Sequence, residues 1–306
     1  MQKQDLTIAI KEKALELGFT ACGITSPMQL NEDAGRLKKW LQYSFHGNMK
    51  YMENHFELRK NPGEIFEGTK SVIATITNYY PEKQQSSDSY KIAKYAYGKD
   101  YHFVLKQKLR DLEAFILEKD SSATMRSFVD TAPIFEKTLA AHAGLGWIGK
   151  NTLLINRKYG SFTLIGLIFC SLELDYDTIG KDYCGSCTKC LQACPTNALV
   201  GPRLLDSNKC ISYQTIENRE EIPDKIKGKF NDWIFGCDIC QDVCPWNQQV
   251  QQHTTEAFNP HFSLLEKTKE DWENLSEEDY REVFRKSAVK RAKYPMFMRN
   301  VDAAKS

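Results

Sequence analysis

The sequence predicts an α+β fold made of three consecutive parts, and three changes of pattern along its 306 residues support this assignment. Residues 1–178 alternate between helix-like and strand-like patterns, which is typical of an α/β domain. Residues 179–250 are short segments punctuated by Cys, Gly and Pro, which indicates a small domain held by its metal rather than by a core. Residues 251–306 are polar and highly charged, which predicts a helical C-terminal appendage.

The individual elements follow from the spacing of apolar residues. Helical spacing predicts helices near residues 5–17, 29–44, 102–119 and 133–143. Runs rich in β-branched residues predict strands near residues 20–25, 70–79, 124–129, 151–156 and 161–170. In the charged C-terminal part, one further helix is predicted from Ser276 to about Lys293, before Pro295.

Composition and charge exclude several classes of protein. The apolar stretches are far shorter than the roughly 20 residues that span a bilayer, so we expect no membrane segment. The N-terminal residues form a helical pattern that ends at Gly18 rather than a signal peptide, so we expect a cytoplasmic protein. The net charge of +1 excludes a broadly basic nucleic-acid binder, although a local basic patch is compatible with it.

Eight of the ten cysteines fall in a ferredoxin-like pattern. The first run, CGSCTKCLQACP, has the C-x2-C-x2-C-x3-C-P spacing of a bacterial ferredoxin. Its cysteines are Cys184, Cys187, Cys190 and Cys194. The second run, CDICQDVCP, repeats the last three as Cys237, Cys240 and Cys244 and lacks one ligand, which Cys210 replaces. Eight thiolates are enough for two [4Fe-4S] clusters.

In two-cluster ferredoxins the fourth cysteine of each run binds the other cluster. This rule predicts one cluster on Cys184, Cys187, Cys190 and Cys244, and another on Cys194, Cys210, Cys237 and Cys240. Zinc is the alternative, but zinc sites usually consist of separated C-x2-C pairs. Cys22 and Cys170 lie in apolar contexts, where free cysteine behaves as a small buried hydrophobe, so we leave them out of the site.

The segment GLGWIG at residues 144–149 matches a dinucleotide-binding fingerprint, but the elements around it have the wrong order. That fingerprint needs a strand before it and a helix after it. Here a predicted helix precedes it and a strand follows, so Gly144 is better explained as the cap of that helix. The glycines still allow the backbone to approach a bulky ligand closely, and Lys150 and Asn151 follow them.

Five motifs in order give the sequence a family resemblance. They are VDTAP (129–133), GLGWIGKNTLLI (144–155), CGSCTKCLQACPTNALV (184–200), CISYQTIE (210–217) and FGCDICQDVCPWN (235–247). Together they resemble the epoxyqueuosine reductase family over roughly residues 5 to 250. The resemblance implies a nitroreductase-like α/β domain that binds cobalamin, followed by a ferredoxin-like domain with two [4Fe-4S] clusters.

The resemblance also implies a reaction and partners. The family reduces the epoxide of epoxyqueuosine, at the wobble position of the anticodon in certain transfer RNAs, to the alkene of queuosine. We therefore expect an anticodon stem-loop as substrate and an external low-potential electron donor. Electrons are expected to pass through the two clusters to cobalamin and then to the epoxide. We expect the chain to act as a monomer.

Site residues are carried over from the motifs. Asp130 of VDTAP is the family's proton donor, although an Asp shortly before a helix that begins near Pro133 is more often a cap when considered alone. The expected cobalamin contacts are Arg59, Tyr97, His102, Asp130, Lys150, Asn151, Ser212 and Tyr213. Each of the contacts other than Asp130 has an ordinary core or surface role as its alternative.

Two features of the sequence stay open at this level. Longer family members continue into HEAT-like repeats, so we expect any transfer-RNA contacts of those repeats to be missing or replaced here. Residues 281–299 carry seven basic side chains and one acid, which fits either an internally paired helix or a phosphate-binding face. The competing functions are a reductive dehalogenase, a ferredoxin-type electron carrier and a non-catalytic transfer-RNA-binding protein.

Overall fold

A computed structural model describes residues 2–260 and 263–305. The helices are α1 (Lys3–Glu16), α2 (Asn31–Gln42), α3 (Phe56–Lys60), α4 (Tyr101–Lys119), α5 (Glu136–His142), α6 (Lys189–Ala193), α7 (Ile211–Ile216), α8 (Ile239–Asp242), α9 (Lys269–Glu273), α10 (Glu277–Val283) and α11 (Lys293–Lys305). The strands are β1 (Ala21–Thr25), β2 (Ser71–Asn78), β3 (Lys91–Ile92), β4 (Met125–Phe128), β5 (Trp147–Ile148), β6 (Leu154–Ile155), β7 (Thr163–Cys170), β8 (Leu199–Gly201), β9 (Leu204–Leu205) and β10 (Trp233–Phe235).

The first part of the chain is built on a four-stranded antiparallel sheet with the order β1-β2-β7-β4. The long pair β2 and β7 runs in register from Ser71 opposite Cys170 to Asn78 opposite Thr163. Every residue of β2 is buried, because helices cover both faces of the sheet. An antiparallel sheet between two helical layers agrees with the predicted α+β class.

The alternation of side chains along β2 separates two hydrophobic cores. Ile73 faces the layer formed by α1 and α4, where Leu105 and Leu109 are completely buried. Its neighbours Val72 and Ala74 face the layer that contains α5. The long helices and strands predicted for this part are therefore present, but the strand predicted at 151–156 is reduced to the two residues of β6.

The GLGWIG segment lies between a helix and a short hairpin. Gly144 follows the last turn of α5 with a φ of +75°, and its N–H donates to the carbonyl of Ala141. Strands β5 and β6 then pair antiparallel through Trp147 and Ile155. The helix-then-strand order is the one expected from the sequence, and Gly144 is the residue that ends the helix.

The cysteine-rich part has more of a core than its composition predicts. Ile211, Ile222, Ile226, Phe230 and Trp233 are buried together and pack against Ala93 of the first part. Strand β10 also pairs in parallel with β3. The expectation that this part is held by metal rather than by a core is therefore wrong, because buried apolar residues pack within it and against the first part.

The C-terminal part is a packed portion of the fold and not an appendage. Trp272, Tyr280, Phe284 and Phe297 form an aromatic cluster that buries Tyr90 and Phe235 in the other two parts. The single helix predicted from Ser276 to Lys293 is also wrong. Helix α10 ends at Val283, a 3-10 turn covers Ala288–Ala292, and α11 starts at Lys293 with Pro295 in its first turn.

None of the helices in the described ranges is long and apolar enough to cross a membrane.

Candidate active site and cluster sites

A cavity of about 1930 Å³ opens among the three parts of the chain. It is roughly twice the upper end of the 300–1,000 Å³ that ordinary ligand pockets occupy. The start of α4, the loop before α5, the segment before α7 and the C-terminal part all contribute to its wall. This size admits a large cofactor together with part of a substrate.

Four cysteines border this cavity and form what we call the inner site: Cys194, Cys210, Cys237 and Cys240. Burial raises the pKa of the Cys210 thiol, and nearby Cys194 raises it further. The pKa values of Cys237 and Cys240 are raised in the same way, first by burial and then by Cys210. The side-chain amide of Asn151 donates to the carbonyl of Cys240 at 3.4 Å, which ties this site to the loop after GLGWIG.

The other four cysteines, which we call the outer site, surround a separate cavity of about 290 Å³: Cys184, Cys187, Cys190 and Cys244. Burial raises the pKa of Cys244, and the neighbouring thiols of Cys184, Cys190 and Cys187 raise it further. The structure thus brings Cys244 to the cysteines of the first run, as the crossover assignment expects. The indole N–H of Trp147 donates to the Cys184 sulfur at 3.4 Å.

The shape of both sites suits a cluster better than a single ion. Within residues 2–260 and 263–305, no group of three or more His, Cys, Asp and Glu side chains is arranged to hold one metal ion. The outer cysteines instead surround a space of about 290 Å³, and the inner cysteines border a larger one, and both spaces are much larger than an ion. Backbone N–H groups also donate to the sulfurs, as Ala198 does to Cys194 at 3.2 Å, and such bonds stabilise cluster thiolates.

Asp130 projects into the large cavity from a strained turn. Its φ is +50°, a left-handed conformation that is uncommon for a residue other than glycine, and its side chain is 69% exposed. The carboxylate accepts a hydrogen bond of 2.8 Å from the Tyr101 hydroxyl. Asp130 does not cap α5, which begins at Glu136 without a side-chain cap, so the alternative role as a helix cap is excluded.

Glu136 holds the backbone of this turn. Its Oε1 accepts the N–H of Asp130 at 2.7 Å, and its side chain lines the same cavity. Burial in the cavity wall, followed by the charge of Asp130, raises the pKa of Glu136 to about 8. Two carboxyl groups so close together cannot both ionise easily, so Glu136 retains a proton near neutral pH.

His102 connects Asp130 to a second carboxylate. Its Nδ1 lies 2.7 Å from Oδ1 of Asp100, and its Nε2 lies 3.9 Å from Oδ2 of Asp130. Burial disfavours the charged form of Asp100, but hydrogen bonds from His102 outweigh burial and lower the pKa of Asp100. Burial and the nearby charge of Asp130 raise the pKa of Tyr101, so its hydroxyl stays a donor to Asp130.

Two family models match parts of the chain. A 4Fe-4S double cluster binding domain matches residues 183–247, a range that includes all eight cysteines of the inner and outer sites. A model described as epoxyqueuosine reductase QueG matches residues 59–131, which end one residue after Asp130.

Two relatives that match nearly the full length of this chain are both named epoxyqueuosine reductase. The epoxyqueuosine reductase of Cellulophaga algicola is 51% identical over 97% of this chain and 97% of its own. The epoxyqueuosine reductase of Escherichia coli is 38% identical over 96% of this chain and 79% of its own. This chain belongs to the epoxyqueuosine reductase family.

Solved structures of epoxyqueuosine reductases share the fold. One, with an epoxyqueuosine-modified tRNA-Tyr stem loop, superimposes with a TM-score of 0.90 at 28% identity, covering 98% of this chain and 80% of that one. Another, from Bacillus subtilis, has its catalytic loop swung out of the active site and gives a TM-score of 0.90 at 27% identity, covering 98% and 81%. The chain is thus an oxidoreductase, and the dehalogenase, electron-carrier and non-catalytic alternatives are set aside.

The family's cofactors fit the residues that are present. The double cluster domain means two [4Fe-4S] clusters, and epoxyqueuosine reductase membership implies a cobalamin in addition. The large cavity has the volume for a corrinoid, and its wall carries polar side chains such as Arg59, Asn151 and Ser212. Side chains of this kind suit the amide groups at the edge of a corrinoid.

The predicted cobalamin contacts divide into two groups. Arg59, His102, Asn151, Ser212 and Tyr213 line the large cavity together with Asp130. Tyr97 does not line it, because its ring packs into the aromatic cluster with the C-terminal part. Lys150 does not line the large cavity either. Its ammonium group donates to the carbonyls of Gly185 and Cys187 in the loop of the outer site.

Sequence reasoning missed several residues of the epoxyqueuosine reductase site. Tyr95, Tyr101 and Glu136 line the cavity, but none of them was expected to. Tyr95, which lines the cavity, lies two residues from Tyr97, which does not, so the aromatic run KYAYGKDYH contributes a different side chain to the wall from the one expected. Glu136 accepts a hydrogen bond from the backbone N–H of Asp130, six residues earlier. A contact of this kind cannot be recognised from the spacing of residue types.

The basic C-terminal segment lies at the same cavity. Six of its seven basic residues line the wall: Arg281, Arg285, Lys286, Lys290, Arg291 and Lys293. Arg281 pairs with Glu277 and Arg291 pairs with Glu217, each at 2.6 Å. The seventh, Arg299, is directed away and donates to backbone carbonyls, including that of Gln214 at 2.7 Å.

Proposed function

We propose that this chain reduces epoxyqueuosine to queuosine at the wobble position of a transfer RNA. Removal of the epoxide oxygen as water consumes two electrons and two protons. The observation that carries the proposal is the meeting of an exposed carboxyl group, Asp130, with four cysteines of a cluster site in one large cavity. Proton delivery and electron delivery therefore converge on the same space.

We further infer how the cofactors are distributed. A nitroreductase-like domain over residues 1–178 would hold the cobalamin, and a ferredoxin-like domain over residues 179–250 would hold the clusters. The eight cysteines of the inner and outer sites are the proposed ligands, four to each cluster. Arg59, His102, Asn151, Ser212 and Tyr213 are the side chains available to hold the cobalamin.

The positions of the two sites support an order of electron transfer. When bound, the clusters supply electrons one at a time, and the cobalamin supplies a cobalt centre that can deliver two of them. The outer site lies next to exposed loop residues such as Gly185 and Ser186, whereas the inner site borders the cavity. Electrons from an external donor would thus enter at the outer site and leave toward the cobalamin from the inner one.

Asp130 is the proposed proton donor to the leaving oxygen. Cleavage of a carbon–oxygen bond places negative charge on oxygen, and an acid within hydrogen-bond reach contributes about 100- to 10,000-fold to such a step. The Tyr101 hydroxyl fixes one carboxylate oxygen, and Glu136 fixes the backbone. These two contacts hold the carboxyl group toward the cavity in an otherwise unfavourable turn.

The second proton reaches Asp130 through His102. Its Nδ1–H donates to Asp100 and its Nε2 is directed toward Asp130, which places the ring between the two carboxyl groups as a proton relay. The gap of 3.9 Å closes with a small side-chain movement or a bridging water. Glu136 has a different role. Its hydrogen bond to the Asp130 backbone orients the Asp130 carboxyl group and does not return a proton to it.

The basic wall supports an anticodon stem-loop as the substrate. Lys286, Lys290 and Lys293 line the cavity and make no ion pair among the residues described, so their charges are available to phosphates. Beside them Phe103 is 72% exposed at the start of α4, although a buried position is usual for its type. An exposed aromatic ring next to cationic side chains suits an unpaired nucleotide.

The test of this function is product analysis. Protein reconstituted anaerobically with iron, sulfide and cobalamin is supplied with a stem-loop that carries epoxyqueuosine and with reduced methyl viologen. We expect the modified nucleoside to lose one oxygen atom, as measured by mass spectrometry. Recovery of unchanged epoxide from fully loaded protein would contradict the proposal.

A further inference from the structure

The outer site lies beneath a strongly basic surface. Two stretches that line its cavity, residues 147–159 and 181–193, and a third, residues 200–204, which bonds to the first through Arg203, form this surface. They carry six basic side chains and a single acid, Asp182. Lys150 is occupied by carbonyl groups, which leaves five exposed cations that we call the outer-site face: Arg157, Lys158, Lys181, Lys189 and Arg203. The chain as a whole has a net charge of only +1, so this concentration of charge is local.

Contacts between these stretches fix the face over the cluster cavity. The guanidinium of Arg157 lies 5.6 Å from the ring centroid of Tyr183, which lines that cavity. Arg203 donates to the carbonyl of Ile148 at 2.9 Å and pairs with Asp182, which neutralises the one acid. Lys158 and Lys181 make no ion pair within the described ranges.

Aromatic side chains pack between the outer site and the surface, and Arg157 lies over one of them. Trp147, Tyr183 and Trp246 pack edge to face or tilted, with ring centroids 5.1 to 5.7 Å apart. Tyr183 remains 43% exposed, while the Trp147 indole is hydrogen-bonded to the Cys184 sulfur. An exposed aromatic ring next to a cluster ligand, with the Arg157 guanidinium over it and further cations on the same stretches, has the composition of a transient protein interface.

We propose that the outer-site face docks an acidic one-electron carrier protein, which delivers electrons to the cluster held by Cys184, Cys187, Cys190 and Cys244. This proposal rests on the function proposed above. Each encounter oxidises the carrier by one electron and reduces the cluster by one, so two encounters supply the two electrons for one epoxide. Complementary charge raises the rate of such short encounters without a large buried area.

A carrier protein fits this face better than the nucleic-acid substrate does. The epoxide must reach the large cavity, which has its own cations on the C-terminal part, including Lys286 and Lys290. The outer-site cavity is separate, and none of the five cations of the outer-site face lines the large cavity. The two basic surfaces therefore serve different anionic partners.

The probe is an acidic flavodoxin in its hydroquinone form, mixed anaerobically with the loaded enzyme in a stopped-flow instrument. We expect the second-order rate of semiquinone formation to fall about 10- to 100-fold between low and high salt. The double variant Lys158→Glu, Lys181→Glu should slow this reaction at low salt about tenfold or more. It should also weaken binding of oxidised flavodoxin by a similar factor in calorimetry.

A matched control carries the same change of charge at another surface. Lys13 and Lys119 both lie over the ring of Phe115, at 5.6 and 5.1 Å, and the variant Lys13→Glu, Lys119→Glu should react with flavodoxin like the wild type. Turnover driven by cationic reduced methyl viologen should not fall in either variant, which separates this proposal from the proposed function. Equal loss of flavodoxin rate in both variants would overturn the proposal. So would unchanged flavodoxin kinetics with weakened stem-loop binding in Lys158→Glu, Lys181→Glu.

Discussion

The inner and outer sites each contain four cysteines but differ in their surroundings. The inner site borders a cavity of about 1930 Å³ together with Asp130, while the outer site encloses about 290 Å³ beneath an exposed basic surface. Burial raises the pKa of Cys237 and Cys240 in the inner site and of Cys190 and Cys244 in the outer site. A repeated cysteine pattern has thus been placed in two environments, one suited to chemistry and the other to electron entry.

The largest expected effect comes from removing the ligand that crosses between the runs. Cys244→Ser should lose the outer cluster, retain about four irons and lose carrier-driven turnover by more than about 100-fold, because the inner cluster is no longer supplied. Iron analysis measures the number of irons retained, and electron paramagnetic resonance shows which cluster remains. The resonance spectrum of Cys244→Ser should match that of Cys187→Ser. A match to Cys237→Ser instead would show that Cys244 belongs to the inner site.

A second effect concerns the support of Asp130. Glu136→Ala removes the acceptor of the Asp130 N–H, so the left-handed turn should open and kcat should fall by about tenfold. Glu136→Gln retains an acceptor oxygen and should keep most of the activity. Equal kcat values for the two variants, with clusters and cobalamin intact, would show that this contact does not position the donor.

The same residue gives a pH dependence of stability. Because the folded-state pKa of Glu136 is raised to about 8, the native state binds a proton that the unfolded chain releases above about pH 4.5. Stability should therefore fall as pH rises from about 5 to 8. The Tm of unliganded wild type should decrease over this range by about 2–6 °C more than that of Glu136→Gln. Parallel Tm curves would contradict the assignment.

The smallest effect is expected at the basic wall of the large cavity. Lys286→Gln combined with Lys290→Gln should weaken stem-loop binding about 3- to 10-fold and reduce its salt dependence. Flavodoxin oxidation should be unaffected, since these residues lie away from the outer-site face. Binding titrations at several salt concentrations provide the measurement. An unchanged dependence of the stem-loop affinity on salt would show that these lysines do not contact the phosphates.

The sequence predicted those structural features that depend on the spacing of residues close together in the chain. The cysteine runs, the helix with Leu105 and Leu109, and the end of α5 at Gly144 are all of this kind. Features that depend on distant contacts were missed. The break after Val283 follows from aromatic packing against Tyr90 and Phe235, and the position of Lys150 follows from carbonyls more than thirty residues away.

The family resemblance supplied what spacing could not. No pattern in the sequence marks Asp130 as a catalytic residue. Its strained turn and the hydrogen bonds to Tyr101 and Glu136 that hold it are seen only in the structure. Conversely, the resemblance gave no way to choose between Tyr95 and Tyr97. In the structure Tyr95 lines the cavity, whereas Tyr97 is buried within the C-terminal aromatic cluster.

The most direct test of the central account is a single turnover of Asp130→Asn. The amide retains the size of the side chain and an oxygen that accepts from Tyr101, but it cannot donate the carboxyl proton. With both clusters and cobalamin bound and pre-reduced, we expect the variant to bind the stem-loop normally and to form queuosine about 100- to 10,000-fold more slowly than wild type. Formation of queuosine at nearly the wild-type rate by fully loaded Asp130→Asn would contradict the role of Asp130 as proton donor.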